Sequence, residues 1–139
     1  MTGPQRDAGR VSLFLAVALA GVLVVVGLAF DGAGRLRTMQ RADNLAAEAA
    51  RAGGQAIDLA AAIGGEKVKV VDESAAQAAV ANYFSGMSDV DWTVSFPPGG
   101  QQVTVVVEMS YDTAMLDVFG FADTIPVRGQ ATAVLLTEG

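Results

Sequence analysis

Residues 11–30 form an unbroken apolar run, VSLFLAVALAGVLVVVGLAF, which contains neither a charged residue nor a proline. An α-helix rises about 1.5 Å per residue, so a helix of this length spans roughly 30 Å, the thickness of the hydrocarbon core of a bilayer. The run therefore predicts a transmembrane helix, and the rest of the fold has to be built beside a membrane.

A cleaved secretory signal is the competing interpretation of the same segment. Arg6 and Arg10 provide a basic start, and Ala18-Leu19-Ala20 has the small-x-small pattern of a cleavage site. Cleavage there would leave residues 21–30 as an apolar stub on the mature protein. We therefore favour an uncleaved anchor that follows a short lead at residues 1–10.

The arginines on either side of the run do not decide its orientation by their number. Arg6 and Arg10 precede it, and Arg35, Arg37 and Arg41 follow it. A short basic lead is usual for a signal anchor, and long following domains cross the membrane largely regardless of charge. We expect a cytoplasmic N terminus and an extracytoplasmic C-terminal domain, with the three later arginines contacting lipid headgroups.

The composition argues against an enzyme. The 139 residues include no His and no Cys, which excludes Ser-His-Asp and Cys-His catalytic centres and zinc sites with nitrogen or sulfur ligands. Asp89 and Asp91 lack the other residues of a calcium loop. The net charge is −6 and Arg128 is the only cation from Asp72 onward, which disfavours nucleic acid as a partner. We expect no catalytic residue, no metal site and no cofactor.

Helix-forming residues continue beyond the apolar run. Residues 31–63 contain no proline and are rich in Ala, Arg, Leu, Gln and Glu, so they predict a long Ala-rich helical stalk. Small residues recur on one face of it at three- and four-residue spacing. Such a face either lets partner helices approach closely or packs on the protein's own sheet. The predicted partner-contact residues on this face are Met39, Ala42, Ala46, Ala49, Gly53, Ala56 and Ala60.

Residues 64–139 predict a small α+β domain. A helix begins after Asp72 or Ser74, either of which can cap it. The hydrophobic period then changes to two, with a turn at PPGG. A three-stranded antiparallel sheet with one polar face needs a cover, which the second helix and the end of the first can supply. The three strand segments are residues 92–96, 103–111 and 125–136.

The segment AMLDVFGFAD at residues 114–123 is apolar although it lies between two strands. It is either a helical turn that covers the sheet or an exposed contact patch. A cluster of apolar residues usually marks packing or an interface, and we expect Leu116, Phe119 and Phe121 to belong to the core.

The exit from the apolar run has a recognisable pattern. Asp31-Gly32 and Gly34-Arg35 are followed by QRADNLAAEAAR at residues 40–51. This pattern resembles the N-terminal region of the TadE/TadG-like pilus-assembly proteins, in a short form without a von Willebrand A domain. The resemblance implies a single-pass protein of the bacterial cytoplasmic membrane that serves the tight-adherence (Flp) pilus as an assembly factor or minor pilin. Its implied partners are other pilus-assembly or pilin-like membrane proteins and membrane lipid, and its membrane-proximal residues are Asp31, Gly34, Arg35, Arg37 and Arg41.

Several members of that family are cut by a prepilin peptidase after a glycine, and the fifth residue of the mature chain is glutamate. Here the resemblance implies a candidate processing site between Gly9 and Arg10, although Phe14 stands where glutamate is expected. The departure leaves a processed pilin and an intact anchor both open.

A function of a different class is an envelope-anchored binding module. In that case the sheet domain captures a ligand or peptide, and the long helix is only a tether. This alternative predicts a concave apolar site around Trp92, Phe119 and Phe121, whereas the pilus function predicts protein contacts along the small-residue face.

Overall fold

The helices and strands of the chain follow the order that the sequence predicts. A computed structural model describes residues 5–64 and 72–134, so the predicted strand residues 135 and 136 lie outside its described part. The fold is α+β, with one long apolar helix, a second helix and a three-stranded antiparallel sheet, which confirms the predicted class. Its elements are α1 (Gln5–Gly64), α2 (Glu73–Phe84), β1 (Asp91–Ser95), β2 (Gln102–Asp112), α3 (Met115–Val118) and β3 (Thr124–Val134).

Helix α1 is continuous over 60 residues, a length of roughly 90 Å. It passes through Asp31, Gly32 and Gly34 without a break. A glycine costs a helix only about 1 kcal/mol relative to alanine, and no proline interrupts the backbone hydrogen bonds. The expectation that the apolar helix runs on beyond residue 30 is therefore confirmed.

The first part of α1 has no protein cover over most of its surface. An 18-residue window has a mean hydropathy of 2.9, and only 6 % of that window is buried. Within residues 11–30, Gly27 is the single buried position, while Phe14 and Val25 are 75 % and 66 % exposed. This helix is long and apolar enough to cross a membrane. We call residues 11–30 the bare segment of α1.

Three antiparallel strands form one sheet in the order β1-β2-β3. Val105 of β2 pairs with Val94 of β1 and with Ala131 of β3, so these three side chains lie on the same face. The turn between β1 and β2 contains Gly99 and Gly100, whose φ angles of 113° and 66° favour glycine. The predicted sheet and its first turn are confirmed.

The core lies between the inner face of the sheet, α2 and the part of α1 that follows the bare segment. Val80 of α2, Val105 of β2 and Ala46 of α1 are all fully buried. Residues 42–50 of α1 contribute to this core, so the predicted helical stalk at residues 31–63 packs directly on the predicted small domain at residues 64–139. The buried cluster comprises Ala42, Ala46, Ala49, Ala50, Ala76, Val80, Phe84, Val90, Val103, Val105, Val107 and Met109.

Helix α1 and strand β3 meet in backbone contact. A Cβ atom on Gly129 would overlap the backbone of Ala42 and Asp43 and would lie 2.7 Å from the carbonyl oxygen of Ala42. Beside it, the backbone N–H of Gln130 donates a hydrogen bond to the Asp43 carboxylate at 3.3 Å. Glycine inside a strand commonly marks a close backbone approach, and here it sets how α1 crosses the sheet.

Asp72 is the residue that caps α2. Its Oδ1 accepts hydrogen bonds from the backbone N–H groups of Ser74 at 3.0 Å and Ala75 at 3.2 Å, and from the Ser74 hydroxyl at 2.6 Å. These hydrogen bonds, the one from the Ser74 hydroxyl above all, hold the pKa of Asp72 below its ordinary value. Of the two predicted caps, Asp72 is therefore the correct one.

Candidate functional site at the membrane boundary

Asp31 is a buried carboxylate immediately after the bare segment, with 2 % of the residue exposed. Its Oδ1 accepts hydrogen bonds from the Ala114 N–H at 2.9 Å and from the Tyr111 hydroxyl at 3.3 Å. Its Oδ2 accepts hydrogen bonds from the Met115 N–H at 3.0 Å and from the Leu116 N–H at 2.7 Å. One side chain of α1 thus holds the end of β2 and the start of α3.

These hydrogen bonds explain how a charge is accommodated at this position. Ala114 is the N-cap of α3 and makes no side-chain hydrogen bond, so Asp31 caps α3 from a different helix. Burial by itself raises the pKa of Asp31, but the hydrogen bonds from three backbone N–H groups and from Tyr111 outweigh burial and hold the pKa below its ordinary value of 3.8. The carboxylate is therefore ionised at neutral pH.

Gly34 makes room for Tyr111 beside Asp31. A Cβ atom on Gly34 would overlap the hydroxyl and ring of Tyr111 and would lie 2.7 Å from its Cε2. Burial, followed by the charge of Asp31, raises the pKa of Tyr111, so its hydroxyl stays protonated and donates to Asp31. The predicted membrane-proximal residues Asp31 and Gly34 therefore both contact Tyr111.

Because Gly27 has no side chain, α3 can pack directly against the bare segment at this position. A Cβ atom on Gly27 would lie 3.0 Å from the Cβ of Met115, which is tighter than an ordinary van der Waals contact. Beside this contact an apolar groove of about 230 Å³ opens between α1 and α3. The groove is lined by Val24, Gly27, Leu28, Met115, Leu116, Phe119 and Phe121.

The prediction that Leu116, Phe119 and Phe121 belong to the core is wrong for both phenylalanines. Leu116 is half-buried, whereas Phe119 and Phe121 are 49 % and 77 % exposed, and Val118 is 76 % exposed. Both sequence alternatives hold here, because the segment contains a short helix and also forms an exposed apolar patch. We call residues 114–121 the α3 segment.

The predicted partner-contact face of α1 is used inside the protein. Ala42, Ala46 and Ala49 are fully buried in the core. Gly53 is also buried, and a Cβ atom added to it would lie 3.3 Å from the Cγ2 of Val80. The docking interpretation is therefore wrong for these four residues, and the alternative, packing on the protein's own sheet and α2, is correct. Met39 and Ala56 are half-buried, and the side chain of Ala60 lies outside the described part.

The three arginines after the bare segment lie on the surface. Arg35, Arg37 and Arg41 are exposed, as the expected contact with lipid headgroups requires. Among the described residues, the only ion pair joins Arg41 Nη2 to Asp89 Oδ2 at 3.5 Å, and both side chains are largely exposed. Such a pair contributes little to stability, about 0–1 kcal/mol.

Among the described residues, the apolar site of the alternative function forms only in part, because Phe119 and Phe121 line the groove and Trp92 lies elsewhere. Trp92 stacks on Phe84 with a ring-centroid distance of 5.6 Å and packs against the core. It does not line the groove that Phe119 and Phe121 line.

The residues of the candidate processing site, Gly9 and Arg10, are exposed within α1.

The role of Asp31 is the part of the site that sequence reasoning missed. A lone acid after a long apolar run, inside a helix, needs hydrogen-bond donors if it is buried. The α3 segment in turn starts at Ala114, which cannot cap a helix through its side chain. These two unmet requirements were the available signal. Among the described residues, no three acidic side chains come together as metal ligands.

Comparisons of the chain with protein-family models, with curated proteins and with solved structures found no match. The site therefore has to be interpreted from its own geometry. In that geometry a folded domain packs directly on a helix whose bare segment is long and apolar enough to cross a membrane.

Proposed function

We propose that this protein is a membrane-anchored pilus-assembly or minor pilin-like protein of a tight-adherence (Flp) type system, acting through helix packing and protein contacts without catalysis. The observation that carries the proposal is the division of α1 into two parts. The bare segment is apolar and mostly uncovered, and the part after it is the core of a small α+β domain. A long N-terminal helix that carries a small sheet domain is the architecture of pilin-like proteins.

The resemblance of residues 31–51 to TadE/TadG-like proteins supports the same function, and the geometry gives the pattern a physical basis. Asp31 and Gly34 hold β2 and α3 against α1 at the end of the bare segment, and the core joins the domain to α1 farther along the helix. A protein that transmits position from membrane to surface needs such a connection. In this proposal the chain lies in the bacterial cytoplasmic membrane, with its N terminus in the cytoplasm.

In this proposal the partner contacts lie on the bare segment, because Ala42, Ala46 and Ala49 are occupied by the core. Ala16 and Ala20 lie four positions apart, so the two lie on one side of the helix. Small residues at this spacing let two membrane helices approach closely. Ala16 and Ala20 are exposed and free to pack against another helix.

A photo-crosslinking residue at position 20 tests the proposal in the native membrane. We expect adducts with pilus-assembly or pilin-like membrane proteins, identified by mass spectrometry. The matched control is the same crosslinker at Ala47, an exposed alanine of α1 beyond the bare segment, where we expect no such adduct. Equal adducts at both positions, or none at position 20, would contradict the proposed packing surface.

Mass spectrometry of the N terminus separates the two forms of the proposal. A chain that starts at Arg10 and is recovered from sheared surface filaments is a processed minor pilin. An intact N terminus confined to membranes, together with adducts at position 20, identifies an assembly factor.

A further inference from the structure

We propose that the α3 segment is a second membrane contact, which enters the leaflet on the domain side and holds a phospholipid acyl chain in the groove between α1 and α3. This inference goes beyond the proposed function and does not depend on it. It requires only that the bare segment crosses a membrane.

The groove lies at the level of the last residues of the bare segment. Val24 lies six residues before Phe30, and Leu28 lies two residues before it. At about 1.5 Å per residue these residues lie roughly 9 Å and 3 Å inside the end of the bare segment. Because Val24 and Leu28 line the groove together with Phe119 and Phe121, the two phenylalanines lie at the same depth as the acyl chains.

The exposed side chains of the α3 segment are mostly apolar, as a position among lipid acyl chains requires. Val118, Phe119 and Phe121 project into the surroundings, and Met115 is 41 % exposed. An apolar cluster of this kind is unfavourable in water and favourable in contact with lipid. Asp117 is the one charged residue of the segment, which limits it to the interfacial part of the leaflet.

Most backbone N–H groups of the α3 segment have hydrogen-bond acceptors within the protein. In lipid each backbone N–H needs a partner within the protein, because water is absent. Asp31 accepts from the N–H groups of residues 114–116. The N–H groups of Phe119, Gly120 and Phe121 donate to backbone carbonyls of the same segment at 3.3, 2.8 and 3.0 Å. The buried carboxylate thus pairs three backbone donors at the start of a short helix that enters the leaflet.

The exposed arginines place the headgroup level just above the groove. Arg35 follows Phe30 by five residues, or about 8 Å along α1. Arg35 and Arg37 are exposed and can contact lipid phosphates from that height. Arg35 follows Leu28 by seven residues, about two turns of the helix, so a phospholipid whose phosphate lies near Arg35 has its acyl chain beside Val24 and Leu28. A lipid acyl chain is therefore the occupant that fits, in preference to a second copy of the protein.

Tryptophan quenching by brominated lipid tests the inference on the full-length protein in bilayer nanodiscs. The chain has a single tryptophan, Trp92, which packs against the core. In the double variant W92F/F121W the only tryptophan lies on the α3 segment, at a side chain that is 77 % exposed in the parent protein. The wild-type protein is the matched control.

We expect the double variant to lose most of its emission in lipids brominated near the headgroup end of the acyl chain. Trp92 of the wild-type protein should keep most of its own emission. Equal quenching of the two proteins would overturn the inference. A blue-shifted but unquenched emission from W92F/F121W would also overturn it, because a protein surface and not lipid would then cover the segment. The variant W92F/F119W repeats the measurement at a second position.

Discussion

The Leu116 N–H and the Asp31 Oδ2 lie 2.7 Å apart, although 85 positions separate these residues along the chain. This hydrogen bond joins the first turn of α3 to the point where α1 leaves its bare segment. The same carboxylate accepts from Ala114, Met115 and Tyr111. One acidic side chain therefore fixes the start of α3 and the end of β2 to α1 at the end of its bare segment.

Asp31→Asn should release the α3 segment while the core remains folded. The amide side chain has one acceptor oxygen and turns an NH₂ group toward backbone donors, so it cannot accept all four hydrogen bonds. We expect faster hydrogen exchange at the amides of residues 114–116, measured by mass spectrometry on the protein in nanodiscs. Asp43→Asn is the control, because Asp43 is exposed and, among the described residues, accepts one backbone hydrogen bond, from Gln130. Unchanged exchange in Asp31→Asn would refute the capping role.

Two neighbouring glycines of α1 should respond to alanine in opposite directions. Gly34→Ala places a Cβ on Tyr111 and should destabilise the domain by about 1–3 kcal/mol, because the ring has to move away from Asp31. Gly32→Ala meets nothing within 4 Å and should stabilise the helix by about 0.5–1 kcal/mol. Thermal unfolding of the two variants measures both effects. The same direction for both would show that Gly34 has no special packing role.

A second matched pair tests which face of α1 belongs to the core. Ala46→Leu adds three carbon atoms at a fully buried position and should cost about 1–3 kcal/mol of stability. Ala47→Leu adds the same atoms at an exposed position of the same helix and should change stability by less than about 0.5 kcal/mol. Unfolding in denaturant compares them. An Ala46→Leu variant as stable as Ala47→Leu would contradict the assigned packing.

Acid should weaken the structure through Asp31 and Asp72. Hydrogen bonds hold the pKa of each carboxyl below its ordinary value of 3.8, so each stabilises the folded state fully above that pH. The stabilisation is lost as the pH falls from 3.8 through the lowered folded-state values, because the protonated carboxyl no longer attracts the N–H donors. Melting temperatures between pH 7 and pH 2 should fall in this window, and Asp31→Asn should show a smaller fall than the parent protein.

Tyr83 should titrate at high pH because of Glu48. The Tyr83 hydroxyl donates to Glu48 Oε2 at 2.5 Å, and this hydrogen bond, followed by burial and by the charge of Glu48, raises the pKa of Tyr83 to about 12. Absorbance at the phenolate band follows this titration. Glu48→Gln should return the pKa toward the ordinary value of 10.0, and Asp43→Gln should leave it unchanged. A Glu48→Gln protein that keeps the high pKa would show that burial alone is responsible.

Much of the fold follows from local pattern. The apolar run, the proline-free stretch after it and the period-two strands each specify their own element, so α1, α2 and the sheet match expectation. The packing partner of the alanine face did not follow from the pattern. Small residues at helical spacing suit a neighbouring helix and the protein's own sheet equally well. What decided between them was the backbone contact at Gly129, 87 positions away from Ala42, which no local window contains.

The membrane-boundary site shows the same limit more clearly. The sequence marks Asp31 and Gly34 as membrane-proximal, but their function depends on Tyr111 and on the N–H groups of α3. Phe119 and Phe121 look like core residues by composition, and they remain exposed because α3 docks on the bare segment at Gly27. The contact between Asp31 and the α3 segment produces no periodic pattern in the sequence. It can be inferred only because a buried carboxylate needs donors and the first N–H groups of α3 need an acceptor.

The central claim, that this protein takes part in building surface filaments, is tested most directly by counting filaments on the native bacterium after deletion of its gene. Electron microscopy of the deletion strain should show loss of the thin surface filaments, and the wild-type gene supplied in trans should restore them. A variant with Ala16→Leu and Ala20→Leu, which alters only exposed side chains of the bare segment, should restore few or none. Filaments of normal number and length in the deletion strain would contradict the proposed function.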